Sequence, residues 1–321
     1  MKARGEEHQA AFSSADLLLL LMTLIWGINY TVLKRSLADF QPLAFNSLRF
    51  VVASGLTIVF TVLTGRNFKL ERGDLPRVWL LGLLANTVYQ SIFIIGVAHT
   101  SAGNAALILA TTPLFTALIG RLRGDEHFTG AGVLGLLLAF AGMAAIILSG
   151  PKGGSLGDDL LGDSLMVACT ICWSVYSSFT KGYVHKYGAL KTTTIMMMTG
   201  TPVLLLVSSG SLATQNWHVI RPSTWAGLFF SGAFAIGLAY IIWNNGVHKI
   251  GSTRTALYSN ITPIIALIVA WVVLSEVPTW GQLGGAAIIF IAIYLVRNGM
   301  THVSPEETTE EDRVTLRPGK N

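Results

Sequence analysis

The most constraining feature of this sequence is a series of ten long apolar segments separated by short polar connections. About 20 apolar residues in a helix cross about 30 Å of hydrocarbon, because each residue advances an α-helix by about 1.5 Å. The segments therefore predict an all-α membrane protein with ten transmembrane helices. The expected spans are Leu17–Arg35, Pro42–Thr64, Val78–Ala98, Ala102–Arg121, Thr129–Leu148, Leu160–Gly182, Thr192–Ser209, Thr224–Val247, Thr253–Leu274 and Trp280–Val296.

The composition agrees with a lipid environment. The chain of 321 residues is 52% apolar and only 12% charged, which leaves too little polar surface to cover a soluble domain. Its formal charge of +5 does not indicate nucleic-acid binding, because the basic residues are spread over short loops instead of one face. We expect a lipid bilayer and a small-molecule substrate as partners, and no nucleic acid.

Orientation follows from the distribution of Lys and Arg over alternate loops, since cytoplasmic loops carry the excess of both residues. Seventeen of them fall on one side of the predicted helices and four on the other, while Arg49 lies inside the second span. Both termini are therefore predicted to face the cytoplasm, in the cytoplasmic membrane of a bacterium.

The chain divides into two units. We predict an N-terminal tail of residues 1–16, a first unit over residues 17–150, an extracytoplasmic linker of residues 151–159 and a second unit over residues 160–298. Residues 299–321 are charged and poor in aromatic residues, which predicts a disordered cytoplasmic tail.

The two units are internally related. At an offset of 150, Gly96, Ala106, Pro113 and Gly135 match Gly246, Ala256, Pro263 and Gly285, and at an offset of 147 Trp26 and Lys34 match Trp173 and Lys181. Because five helices per unit is an odd number, the second copy enters the membrane from the opposite side. Such inverted repeats allow one central site to open alternately to either face.

The same residues resemble a known family. Trp26-Gly27 with Asn29, Pro42 followed by Arg49-Phe50, and Ala102, Ala106 and Pro113 with Glu126 and Gly135 beyond them are similar to EamA-type exporters of the drug/metabolite transporter superfamily. The resemblance implies two inverted five-helix repeats around a central cavity, and export or exchange of small metabolites such as amino acids or amphiphilic compounds. The chain departs from the pattern at Ser174, which stands where a glycine would follow Trp173.

Polar and aromatic side chains recur at helical spacing within four of the predicted spans. Polar groups at membrane depth usually face the bundle or a wet cavity, because lipid offers them no partner. Their alternative role is to bond neighbouring helices. The candidates for a substrate cavity are Trp26, Asn29, Tyr30, Arg49, Asn86, Tyr89, Gln90, Trp173, Tyr176, Tyr240, Trp243 and Asn244.

Arg49 requires a partner, because an isolated guanidinium is costly about seven residues into a span. A substrate carboxylate and helix-end carbonyls are the two alternatives. Lys34 and Lys181 lie near span ends, where extension of the side chain to the interface is favoured over a gating role. Pro113 and Pro263 are hinge candidates, because an interior proline removes a hydrogen bond, here at Leu109 and Ser259; a fixed kink is the alternative.

Several other functions are disfavoured by the sequence. No Asp or Glu is expected at mid-membrane, since Glu126 and Glu276 lie at helix ends, which argues against proton coupling through a buried carboxylate. An intramembrane enzyme would need clustered catalytic side chains, and a scaffold would usually add a soluble domain. We expect neither, and no cofactor or metal. The small residues Ala131, Gly135, Ala139, Gly281 and Gly285 favour close packing within a monomer over a dimer interface.

Overall fold

The computed structural model describes residues 14–124, 126–149, 156–250 and 252–302. Residues 1–13 of the predicted N-terminal tail, residues 150–155 around the predicted linker and residues 303–321 of the predicted C-terminal tail lie outside this range. Within it the chain is almost entirely helical.

The helices follow the order of the predicted spans. Those of the first half are α1 (Ser14–Ser36), α2 (Pro42–Leu63), α3 (Leu75–Leu83), α4 (Tyr89–His99), α5 (Ala102–Leu109), α6 (Thr112–Leu122) and α7 (Gly130–Ser149). Those of the second half are α8 (Leu156–Tyr187), α9 (Ala189–Val207), α10 (Ser209–Thr214), α11 (Pro222–Phe230), α12 (Ala239–Ile250), α13 (Ser252–Ser259), α14 (Thr262–Leu274) and α15 (Trp280–Asn298). Wider π-helical turns, Leu84–Val88 and Ser231–Leu238, join α3 to α4 and α11 to α12.

Nine stretches of the described chain are long and apolar enough to cross a membrane. The ninth predicted span, Thr253–Leu274, consists of two helices, α13 and α14, of which α14 is a shorter apolar helix of 13 residues. The predicted fourth span is also interrupted, between α5 and α6.

The prolines lie at these interruptions. Pro113 and Pro263 each stand in the first turn of a new helix, where a backbone N–H has no helical partner to lose. Each proline therefore lies at the start of a new helix and not inside a continuous one. The carbonyl of Leu109 accepts a hydrogen bond from the Thr112 hydroxyl at 2.6 Å. A hinge role at these positions stays a prediction.

Matching glycines bring helices of the two halves into close contact. A Cβ added at Gly82 would lie 2.7 Å from the carbonyl oxygen of Met196, and one added at Gly232 would lie 2.6 Å from that of Arg49. The glycines are 150 residues apart and their partners 147 apart, which are the offsets of the sequence repeat. Each contact adjoins one of the two π-helical turns.

Helices α7 and α15 pack along their small residues. A Cβ at Gly285 would lie 2.7 Å from the carbonyl oxygen of Gly142, and one at Gly135 would lie 2.9 Å from that of Ala292. These distances leave no room for a side chain at Gly135 or Gly285, because the backbones of the two helices approach closely there. Ala131 of the predicted stripe is exposed and does not take part.

A short antiparallel pair of strands lies beside these helices. Strand β1 (Glu126–Phe128) pairs with strand β2 (Met300–His302). The structure thus places Met300–His302 in a strand, although the sequence assigned them to a disordered tail.

Two sets of polar contacts join the halves at opposite ends of the bundle. At the first, here called the Asp39 end, Arg221 Nε donates to Asp39 at 2.9 Å and Thr224 donates to the same oxygen at 2.5 Å. The hydrogen bond from Arg221, followed by that from Thr224, lowers the pKa of Asp39 to about 2. Gln41 N also donates to Gln215 at 2.7 Å.

The opposite end, here called the Asp74 end, carries the matching contact. Lys186 Nζ donates to Glu71 at 2.6 Å and to Asp74 at 2.8 Å, and Lys191 donates to Asn67 at 2.9 Å. The pKa of Asp74 is lowered, first by the hydrogen bond from Lys186 and then by that from Tyr187. At each end, the loop of the first half contacts residues at or near helix ends of the second half.

Candidate functional site

A central cavity is enclosed by both halves. It holds about 660 Å³ of empty space, counting the part that is open to solvent. Its walls come from α1, α2, α4, α5, α6, α8, α12, α13, α14 and the second π-helical turn. The lining residues are Trp26, Asn29, Tyr30, Arg49, Tyr89, Gln90, Phe93, Ala106, Leu109, Ala110, Thr112, Trp173, Ala235, Ile236, Tyr240, Ser259 and Thr262.

Eight of the twelve predicted cavity residues lie on this wall: Trp26, Asn29, Tyr30, Arg49, Tyr89, Gln90, Trp173 and Tyr240. They stand far apart in sequence, and the packing of the two halves brings them together. That a substrate binds among them stays a prediction.

Arg49 is the charged side chain of the cavity wall and is 1% exposed. Its Nε donates to Asn46 at 2.8 Å, Nη1 to Ser231 at 3.1 Å and Nη2 to Gln90 at 2.7 Å. These acceptors are neutral side chains, and they differ from the helix-end carbonyls that the sequence offered as one alternative. Among the described residues, no ion pair includes Arg49.

Gln90 connects this arginine to the second half of the chain. Its Oε1 accepts from Arg49, and its Nε2 donates to the Tyr240 hydroxyl at 2.6 Å. Because both ends of the amide are bonded, Gln90 holds the guanidinium in one orientation. Gln90 and Tyr240 are themselves 150 residues apart, so equivalent positions of the two halves meet at the cavity wall.

Aromatic rings from both halves also line the cavity. The ring centroid of Trp173 lies 6.1 Å from that of Trp26, 5.1 Å from that of Tyr89 and 5.3 Å from that of Tyr240. The indole of Trp26 also donates to the carbonyl of Ala235 at 2.9 Å, which fixes this ring across the boundary between the halves. The cluster presents flat π-surfaces, which attract cations as well as apolar groups.

The other four candidates lie outside the wall. Trp243 is 1% exposed and packs behind Trp26, with ring centroids 5.6 Å apart. Asn244 donates to Tyr176 at 3.3 Å and to Thr193 at 2.6 Å, so both residues bond neighbouring helices. Asn86 is buried, and its Cβ abuts Gly200.

The sequence reasoning missed nine lining residues: Phe93, Ala106, Leu109, Ala110, Thr112, Ala235, Ile236, Ser259 and Thr262. Most of them are small or apolar and give no chemical signal. The repeat offers one signal, because Leu109 and Ser259 form a pair at offset 150, as do Thr112 and Thr262. These pairs precede the prolines that lie in the first turns of α6 and α14.

Two polar atoms of the wall have no protein partner among the described residues. They are Oδ1 of Asn29 and Oγ1 of Thr262, and both are buried. A buried polar atom without a hydrogen bond is costly, so such atoms commonly meet a ligand or water. With Arg49, they supply the cavity with hydrogen-bonding groups of both kinds.

The described residues contain no group of three or more His, Cys, Asp or Glu side chains that could hold a metal. Cys169 is buried, with its sulfur 3.7 Å from the carbonyl of Tyr89, and Cys172 is half-buried.

Comparison with known proteins yields related transporters. The chain is 25% identical to an uncharacterised transporter, YyaM, of Bacillus subtilis, over 93% of this chain and 98% of the relative. It is 26% identical to a probable amino-acid metabolite efflux pump of Salmonella typhimurium, over 87% and 93%. It is also 25% identical to a probable terminal-alkyne amino-acid exporter of Streptantibioticus cattleyicolor, over 88% and 93%.

A solved crystal structure shares the fold. It superposes with a TM-score of 0.65 over 95% of this chain and 99% of its own, at 17% identity. Residues 13–148 and 160–298 each match the EamA-like transporter family. Because these segments make up most of the sequence, the chain belongs to the EamA-like transporter family and is a membrane transporter rather than an enzyme.

Proposed function

We propose that this transporter exports or exchanges small metabolites that carry a carboxylate, amino acids foremost, across a bacterial cytoplasmic membrane by alternating access. The observation that carries the proposal is Arg49, a buried cation on the cavity wall without an anionic partner among the described residues.

The guanidinium has donors to spare. Arginine offers five N–H groups, and three hydrogen bonds hold Arg49 in place. A carboxylate suits the remaining donors, because it accepts planar, paired hydrogen bonds and neutralises the charge where screening by water is weak. The Asn46, Gln90 and Ser231 contacts orient the guanidinium before a ligand arrives.

The rest of the wall suits the amino end of such a substrate. The Asn29 amide oxygen has no hydrogen-bond partner in the part of the chain that the structure describes, and an ammonium group would supply the N–H donor. The π-faces around Trp173 attract a cation, and the same rings accommodate an apolar side chain. Two relatives are named for efflux or export of amino acids, which agrees with this substrate class.

The proposed architecture is ten spans in two inverted repeats, with both termini in the cytoplasm. The paired contacts of Gly82 and Gly232, the two interrupted helices and the polar contacts at both ends of the bundle support the repeat. The excess of Lys and Arg on alternate loops supports the orientation. Movement of one half against the other would then expose the cavity at the Asp39 end or the Asp74 end in turn. We propose a monomer as the transporting unit.

Counterflow in proteoliposomes tests the proposal. Vesicles that contain the purified protein are loaded with unlabelled amino acids and given labelled amino acids outside. We expect exchange of one or more amino acids, and no exchange of the matching methyl esters, which lack the carboxylate. Arg49→Gln should lower exchange by about tenfold or more, since a hydrogen bond to a charged group contributes about 1.5–3 kcal/mol.

Arg77→Gln, which removes an exposed arginine outside the cavity, is the matched control and should transport normally. Esters that exchange as well as the acids, or an Arg49→Gln variant with full activity, would contradict the proposal.

A further inference from the structure

A buried carboxylate lies outside the cavity, near the Asp39 end. Asp163 of α8 is 1% exposed and accepts hydrogen bonds from the Thr100 hydroxyl and, at 3.1 Å, from the Asn104 amide. Thr100 lies in the corner between α4 and α5, and Asn104 lies in the first turn of α5. An ionisable side chain inside a membrane protein is costly to keep, so its presence indicates a functional role.

The contact reaches from α8 to the start of α15. Asn104 accepts at Oδ1 from Gln282 Nε2 at 2.7 Å, while Gln282 closes the first turn of α15 through a reciprocal pair of hydrogen bonds with Thr279. Glu276 accepts from the backbone N–H of Ala102 at 3.0 Å. Residues of the second half therefore hold the first turn of α5, the helix that leads into the cavity wall at Ala106.

A matching carboxylate occupies the other half. Asp16 and Asp163 are 147 residues apart, the offset that also relates Trp26 to Trp173. Asp16 accepts from the Tyr258 hydroxyl of α13 at 2.5 Å. Each half thus begins its first helix with a carboxylate bonded to the interrupted helix of the other half.

Among the described residues, the charge of Asp163 has no partner of opposite charge. The charged or titratable groups on the elements around it are Asp159 on α8, His99 on α4, Lys34 on α1 and Glu276 after α14. Lys34 donates to the carbonyls of Val97 and Ala98, at 3.2 and 3.4 Å. No described Lys, Arg or His forms an ion pair with Asp163.

We propose that Asp163 is a proton-binding site, and that binding of one proton from the aqueous phase releases the corner between α4 and α5 at the Asp39 end. The ionised carboxylate holds Thr100 and Asn104 through charge-assisted hydrogen bonds, which are about twice as strong as neutral ones. The neutral acid loses that strength and offers fewer acceptor positions to the Thr100 hydroxyl and the Asn104 amide. The inference rests on the proposed transport function, since release of the corner would open the cavity at this end and couple opening to protons.

Hydrogen–deuterium exchange of the full chain in lipid nanodiscs tests the proposal without any substrate. After correction for intrinsic rates, we expect residues 97–109 to exchange about tenfold faster at about pH 5.5 than at about pH 8, because the local opening energy falls when the charge is lost. Asp163→Asn should exchange fast at both pH values. Asp163→Glu should retain the pH response, because it keeps a carboxylate.

Asp16→Asn is the matched control, since it removes the equivalent carboxylate at the other end and should leave the pH response of residues 97–109 in place. A wild-type protein without a pH response, or an Asp163→Asn variant that retains it, would overturn the proposal.

If Asp163→Asn does not fold, infrared titration of the wild type and of Asp163→Glu tests the proposal instead. A protonated-carboxyl band that appears on acidification and shifts in Asp163→Glu supports the proposal, and a band that is the same in both contradicts it. These measurements need no flux, so their failure would leave the transport proposal standing.

Discussion

At the scale of single residues, the main property of the cavity is an arginine that neutral neighbours hold in position. Asn46, Ser231 and Gln90 fix the guanidinium without cancelling its charge. A carboxylate in place of one of these amides would form an internal ion pair and remove the attraction for a substrate anion.

Gln90→Glu makes this change with almost no difference in shape. The Gln90 oxygen lies 2.7 Å from Arg49 Nη2, so a glutamate there would pair with the guanidinium. We expect amino-acid affinity to fall about tenfold or more, the loss of one charge-assisted hydrogen bond, while the protein remains folded. Isothermal titration with the best substrate measures the affinity, and Asn298→Asp adds the same charge at an exposed position outside the cavity as a control. An unchanged affinity in Gln90→Glu would show that Arg49 does not bind the substrate.

At the scale of the helices, the contact between α7 and α15 depends on glycines that face each other. A Cβ at Gly285 would lie 2.7 Å from the Gly142 carbonyl oxygen, whereas a Cβ at Gly284 would meet nothing within 4 Å. Gly284 and Gly285 are neighbours on α15, but only Gly285 faces the backbone of α7.

Alanine substitution separates these two cases. We expect Gly285→Ala to lower stability by about 1–3 kcal/mol, because a crowded backbone contact must open. Gly284→Ala should leave stability unchanged or raise it by about 0.5–1 kcal/mol, because alanine favours the helix. Thermal unfolding in one detergent compares the two variants. Equal unfolding midpoints for the two variants would mean that the contact between Gly285 and Gly142 contributes little to stability.

At the scale of the whole molecule, polar contacts at both ends join the halves. At the Asp39 end, the hydrogen bond from Arg221 keeps the pKa of Asp39 at about 2, below its ordinary value of 3.8. A lowered pKa means that this carboxylate stabilises the fold above pH 3.8, and that the contribution is lost as the pH falls towards 2.

Asp39→Asn should remove this acid-dependent loss of stability. We expect the unfolding temperature of the wild type to decline between about pH 4 and pH 2, and the decline to be smaller in the variant, which has no charge to lose. Differential scanning fluorimetry over this pH range measures the effect, with Glu71→Gln at the opposite end as the control. Identical acid profiles for Asp39→Asn and the wild type would contradict this account of the contact.

The sequence by itself determined the helical membrane fold, the order of the helices and the family, because hydrophobic length, loop charge and the repeat are local properties of the chain. It also named eight residues of the cavity wall, since polar side chains within a span usually face the helix bundle or a cavity and not the lipid.

Only the tertiary structure decided which faces meet. Trp243 and Asn244 have the same chemistry as Trp26 and Asn29, yet they lie behind the wall, because helix rotation is set by packing between the halves. Asp163 lies only four residues after the start of its span at Asp159, so its position near a helix end gave no sign of burial. The Thr100 and Asn104 side chains bond it, Gln282 bonds Asn104 in turn, and such contacts between distant segments exist only once the helices have packed.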